Sequence, residues 1–147
     1  MASYLLDTNI LLRSADDKSA QHLQAQEAVA RLLGQADTCY LTPQVLIEFW
    51  AVATRPVSAN GLGWDVAKTL AEIDQLLDQF PLFKDTPDVF HHWLALVTSH
   101  TVVGKRVHDI RILAVMQTHG VSHLLTFNVD DFPKPPGITI VHPSEVV

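Results

Sequence analysis

The sequence predicts an α/β protein built around a parallel sheet. Short apolar runs alternate along the chain with segments of helical period, the pattern of strands joined by crossover helices. The first apolar run, Tyr4-Leu5-Leu6, ends in Asp7-Thr8-Asn9 and turns apolar again at Ile10. That reads as a buried strand delivering a carboxylate to its C-terminal end, followed by a helix start. In open parallel sheets ligands bind beyond the carboxyl ends of the strands, where the strand order reverses.

The elements follow in order. Tyr4 to Leu6 is the first strand, and Asp16 to Ser19 a polar break. Gln21 to Leu33 carries Leu23, Ala25, Ala28, Val29, Leu32 and Leu33 at helical spacing, with Gly34 expected as the C-cap. Cys39 to Leu41 is a second strand. Thr42-Pro43 starts a helix, a capping hydroxyl followed by a proline preset for the first turn, which runs through Val52 and stops before Arg55-Pro56. Val57 to Gly63 is a loop. Asp65 caps a helix with a stripe of Val66, Leu70, Ile73, Leu76 and Leu77. Pro81 to Lys84 is a third strand candidate, and Asp85-Thr86-Pro87 opens a helix to about Ser99. The link Gly104-Lys105-Arg106 precedes a helix from Val107 to His119, capped by Gly120. His123 to Thr126 and Ile138 to Val141 are the fourth and fifth strands, and Pro133 to Gly137 is a turn within the domain.

The chain has 147 residues, enough for one domain spanning 1–147, and 48% hydrophobic content supports a real core. No apolar run approaches the ~18 residues of a membrane helix. Asp7 breaks the first apolar run, so no signal-peptide layout is expected and the compartment expected is the cytoplasm. The single cysteine, Cys39, cannot form an internal disulfide and reads as a small core residue. The formal net charge of −6 argues against bulk nucleic-acid binding through a basic face, unless the acids gather at one site where cations reverse the local sign.

Acids recur in telling contexts. Glu48 lies mid-helix among Ile47, Phe49 and Trp50, where an unpaired charge is costly. Asp109 sits near a helix start, and Asp130 and Asp131 follow the fourth strand. Each alone also fits a cap, turn or solvent-facing position. Clustered carboxylates repel in a low-dielectric cleft, and hard oxygen donors so arranged favour Mg2+ or Mn2+ over zinc. Such a site suits phosphodiester hydrolysis.

The segments YLLDTNILL (from Tyr4), LTPQVLIEFW (from Leu41), VHDIRILAVMQTHGV (from Val107) and LLTFNVDDF (from Leu124) resemble, in order, the motif blocks of PIN-domain ribonucleases, and most nearly VapC-type toxins of toxin–antitoxin pairs. The resemblance covers Tyr4 to about Pro143. It implies a PIN-like three-layer α/β/α fold with a parallel, largely five-stranded sheet. It also implies Mg2+- or Mn2+-dependent endoribonuclease activity on an RNA substrate, a homodimer, and a cognate VapB-like antitoxin lying across the acidic cleft. Carried over by position, Asp7, Glu48 and Asp109 match the first three acids, with Asp7 and Asp109 the metal ligands. Asn128 stands where many relatives carry the fourth acid, and Asp131, just before Phe132, fills that role in others. Glu48 would orient or deprotonate the attacking water, with Asn128 and Asp131 completing the outer shell. Thr8, Asn9 and Thr126 are supporting residues.

Arg13, Arg55, Lys105, Arg106 and Arg111 flank the motif blocks and form a phosphate-steering hypothesis, although each singly reads as ordinary solvated charge. His91-His92 lacks the spacing that puts two ligands on one helix face, and His108 reads as a rim residue. Trp50, Trp64 and Trp93 read as core or interface. Two alternatives compete. A catalytically weak PIN domain acting as a binding module is kept open by Asn128. A phosphatase with a strand-end Asp nucleophile would want an acid at Asn9 and a cap domain for which the chain has no room.

Overall fold

The computed structural model describes residues 1–147. A four-stranded sheet, β2-β1-β3-β4 in spatial order, lies at its centre. The strands are β1 (Ser3–Leu6), β2 (Thr38–Tyr40), β3 (His123–Leu125) and β4 (Thr139–Val141). All pairings are parallel, with Leu5 between Tyr40 on one side and Leu124 on the other. Leu5, Leu6, Leu124 and Leu125 are completely buried, as strands covered on both faces require.

Six helices complete the fold: α1 (Thr8–Ala15), α2 (His22–Gly34), α3 (Pro43–Thr54), α4 (Val66–Gln79), α5 (Pro87–Ser99) and α6 (Val107–His119). Their starts follow the expected chemistry. The Thr42 hydroxyl accepts from the Val45 N–H at 3.3 Å, and Asp65 accepts from the Lys68 N–H at 2.7 Å. Helix α6 drives a continuous apolar segment, Ile112 to Met116, into the core and stops at Gly120, whose φ of 70° is the left-handed cap a glycine adopts freely. The loop after α3 folds back so tightly that a Cβ on Gly61 would lie 2.0 Å from the Arg55 carbonyl oxygen.

Two expectations change. Gly34 is not the C-cap: α2 runs through it, and the left-handed residue is Ala36, with φ of 64°. The candidate strand at Pro81–Lys84 is reduced to one parallel bridge, Leu41 to Leu82, outside β2. There the Leu41 N–H donates to the Pro81 carbonyl at 2.9 Å and the Phe83 N–H to the Leu41 carbonyl at 2.8 Å. Pro81 has no N–H to extend the ladder, and Pro87 soon opens α5, so the fifth strand survives only as an edge contact.

Leu5, Leu124, Ile110 and Phe49 belong to a single buried cluster that joins the sheet to the helices. Leu124→Ala, in an inner strand, is expected to cost about 2–5 kcal/mol. Urea denaturation followed by circular dichroism measures it, and an unchanged midpoint would remove β3 from the centre of the core.

Candidate active site

The order of the sheet fixes where chemistry can occur. From β1 the chain crosses to β2 on one side, and β3 and β4 lie on the other, so the order reverses between β1 and β3. The Asp7 N–H donates to the Leu125 carbonyl at 3.0 Å, and the Thr126 N–H to Val141 at 3.0 Å. The first residues beyond β1 and β3 are thereby held side by side.

Asp7 is the N-cap of α1, and the Thr8 N–H donates to its Oδ1 at 2.8 Å. Its Oδ2 accepts from the Thr126 hydroxyl at 2.8 Å and from Asn9 Nδ2 at 3.3 Å. Asn9 also donates to Thr126 Oγ1 at 3.0 Å, while its Oδ1 accepts from the Phe127 N–H at 3.0 Å. The Asn128 N–H donates to the same Thr126 oxygen at 3.0 Å. Asn9 and Thr126 thus pin the segment after β3 onto the start of α1. Asn128 takes part through its backbone, and its side chain is exposed.

Glu48 reaches the same place from α3. The Thr8 hydroxyl donates to its Oε2 at 2.8 Å, and Gln44 Nε2 donates to its Oε1 at 3.0 Å. Gln44, one turn earlier on α3, also donates to the His108 carbonyl at 2.7 Å and accepts from Arg111 Nη1 at 3.3 Å. It ties α3 to the start of α6, which carries Asp109. Sequence reasoning missed Gln44. Its signal was the four-residue spacing to Glu48, which puts the two side chains on one helix face.

Burial pushes the Asp7 carboxyl up to about 6. The Thr126 and Thr8 hydrogen bonds oppose that rise, and the charges of Glu48 and Asp109 add to it. Asp109 is raised by its own burial and then by Glu48 and Asp131, against the opposing influence of Arg106 and His108. Asp7 therefore feels Glu48 and Asp109, and Asp109 feels Glu48 and Asp131. No three of these donors form a closed metal cage. An open set of hard carboxylates that disfavour one another's charge still fits Mg2+ or Mn2+, which keep several waters and take one or two carboxylates from the protein.

The basic residues divide. Arg106 lies 3.6 Å from Asp131 across a largely exposed pair, a contact of little stabilising weight. Arg111 is held by Gln44 and by Asp85 at 3.1 Å. Lys105 is exposed in the short 3-10 turn Gly104–Arg106 that leads into α6. Arg13 is engaged with Gln21 at 3.1 Å, away from the acids. Arg55 ends α3, roughly 10 Å along the helix axis from Glu48. Among the tryptophans, Trp64 meets Phe49 edge-on at 6.1 Å and Trp93 donates to the Val107 carbonyl at 2.8 Å.

The fold and site together define an α/β domain with a carboxylate cluster at the switch point of a parallel sheet. Residues 4–137 match the model of the PIN domain, and the chain belongs to that family. Solved structures share the fold. VapBC2 from Rickettsia felis, bound to a DNA fragment from its promoter, superposes with a TM-score of 0.69 at 17% identity, covering 95% of this chain and 98% of that one. A toxin–antitoxin complex from Klebsiella pneumoniae gives 0.67 at 22% identity, covering 95% and 97%. The sarcin-ricin loop cleaving toxin VapC20 from Mycobacterium tuberculosis gives 0.64 at 20%, covering 87% and 92%. No curated protein matches the chain.

The raised pKa of Asp7 has a definite sign. Between about pH 4 and pH 6 the unfolded chain loses the Asp7 proton while the folded chain keeps it, so stability falls as pH rises and the full cost is present above pH 6. The two-unit displacement corresponds to about 3 kcal/mol. Metal-free Asp7→Asn, which cannot ionise, is expected to gain on the wild type by that order between pH 4 and pH 7 in denaturation profiles. Parallel profiles would show that Asp7 is not strained by its charge.

Proposed function

We propose that the protein is a metal-dependent endoribonuclease, the toxin of a toxin–antitoxin pair. The observation that carries this reading is the contact chain at the switch point, in which Thr126 and Thr8 hold Asp7 and Thr8 holds Glu48, with the charge of Asp109 near enough to raise the Asp7 pKa and that of Glu48 near enough to raise the Asp109 pKa. Membership of the PIN-domain family supports it, as do fold neighbours whose names are those of toxin–antitoxin complexes and of one RNA-loop-cleaving toxin.

Asp7 and Asp109 are assigned as the ligands of Mg2+ or Mn2+. The ion would supply an electrophile that lowers the pKa of water and offsets charge on the phosphoryl oxygens. Glu48 would orient the attacking water and accept its proton. One lone-pair position on each of its oxygens is already committed to Thr8 or Gln44, which fixes the direction of the others. Thr126 and Asn9 keep Asp7 in one rotamer. Asp131 and Asn128 stand at the outer edge, where the Arg106–Asp131 contact can open to a phosphate. Lys105, Arg106 and Arg111 would steer the RNA backbone, with Arg13 and Arg55 in lesser roles. The proposed setting is a cytoplasmic homodimer held inactive by a VapB-like antitoxin. No helix is long and apolar enough to cross a membrane.

Two experiments test this reading. Glu48→Gln keeps the size and removes the base, so Mg2+-dependent cleavage of end-labelled total RNA is expected to drop by about 10²–10⁴-fold. Undiminished cleavage would remove Glu48 from its role. Reversing Lys105 and Arg106 to Glu is expected to weaken RNA binding and flatten the slope of log affinity against log salt. An unchanged slope would exclude them from the phosphate path.

A further inference from the structure

A cavity of about 380 Å³ opens between the N-terminal halves of α5 and α6, lined in part by Val107 and His108, the two residues before Asp109. Its lining mixes three kinds of group. Phe90 and Trp93 present aromatic faces, with ring centroids 5.7 Å apart and planes inclined by 29°. Phe90 is 57% exposed, whereas Trp93 is locked by its hydrogen bond to the Val107 carbonyl. Arg111 supplies a guanidinium whose contacts with Gln44 and Asp85 use two of its five N–H donors. Thr86 contributes the one buried side-chain oxygen in the protein that has no hydrogen-bond partner. As N-cap of α5 it would ordinarily accept from the helix backbone, and it does not. A buried hydroxyl left unpaired costs on the order of 1–3 kcal/mol, a cost that a ligand polar atom met after rotation about χ1 would remove.

We propose that this cavity is a nucleobase subsite, which takes one unpaired base of the RNA next to the scissile phosphate and so sets sequence preference. The inference rests on the nuclease reading above and deepens it. The connection to the acids is covalent and short: Val107 and His108, which line the cavity, immediately precede Asp109. Arg111 reaches Glu48 through Gln44. Arg111, which lines the cavity and contacts Gln44, is the cation that would meet the phosphate of a base stacked on Phe90. Aromatic faces accept any base, whereas the Thr86 hydroxyl and the free guanidinium donors distinguish one base edge from another.

The test uses the full chain and single-stranded hexaribonucleotides, each rich in one base. Binding is read by fluorescence anisotropy in EDTA and cleavage by gel in Mg2+. Phe90→Ala removes an exposed ring, so its melting temperature should stay near that of the wild type. The wild type should prefer one hexamer. Phe90→Ala should weaken that hexamer roughly five- to a hundredfold, the loss of one stacked base, and Phe90→Tyr should restore it. Thr86→Val should narrow the preference among hexamers. Equal binding of every hexamer by wild type and Phe90→Ala overturns the subsite, and cleavage that persists in that case leaves the nuclease reading standing. A ring-dependent preference without cleavage by the wild type overturns the nuclease reading, and with it the placing of the base next to a scissile phosphate. A Phe90→Ala protein that changes only its sedimentation would make the aromatic rim a self-association surface and overturn the proposal.

Discussion

Asp7 is a carboxylate buried at the end of an inner strand, among other acids, in a place where its own charge is disfavoured. Three donors hold it there: the Thr8 N–H, the Thr126 hydroxyl and the Asn9 amide. The Thr126 and Thr8 bonds lower its pKa without cancelling the effect of burial. The protein thus keeps a high-energy anion in a fixed rotamer, an arrangement that costs stability and gains a strong, oriented oxygen donor. Under the proposed function, a divalent cation would relieve that cost by supplying positive charge beside the carboxylate.

The rest of the molecule can be understood as what keeps that anion in place. The parallel register of β1 and β3 brings residues 7 and 126 together, although 119 positions separate them in sequence. Helix α3 begins beyond β2 because Thr42 and Pro43 start it there, and it carries Glu48 to the Thr8 hydroxyl. Gln44 joins that helix to α6 by donating to both Glu48 and the His108 carbonyl, next to Asp109 in sequence. A packed core behind these elements makes the geometry rigid. The apolar run of α6, buried from Ile112 to Met116, anchors the helix that presents Asp109.

Much of this was legible in the chain. The Asp7 strand end, the Thr42-Pro43 helix start, the Asp65 cap and the Gly120 terminus are local chemistry, written in adjacent residues. The acids could be grouped because each followed a strand or sat on a helix of recognisable period. Less was visible where tertiary context decides. Pro81–Lys84 has the composition of a strand but lies at an edge and loses its ladder to the adjoining prolines. Gly34 looked like a cap, while the turn fell on Ala36, whose left-handed φ no propensity favours. The roles of Gln44 and Thr86 were harder to read: the i, i+4 spacing pairs Gln44 with Glu48 but says nothing of α6, and Asp85-Thr86-Pro87 marks a helix start but not an unpaired hydroxyl. One acts by joining two helices, the other by lacking a partner, and neither property exists until the chain is folded.

The most direct measurement is thermal denaturation of the metal-free protein at neutral pH across a titration of Mg2+ and Mn2+, with Asp7→Asn beside the wild type. The wild-type melting temperature is expected to climb with ion concentration, by about 2.7 kcal/mol of added stability at a hundredfold excess over the dissociation constant, while the variant does not respond. A wild-type protein indifferent to both ions, or a variant that responds equally, would contradict the claim that the buried Asp7 carboxylate is held in wait for a cation.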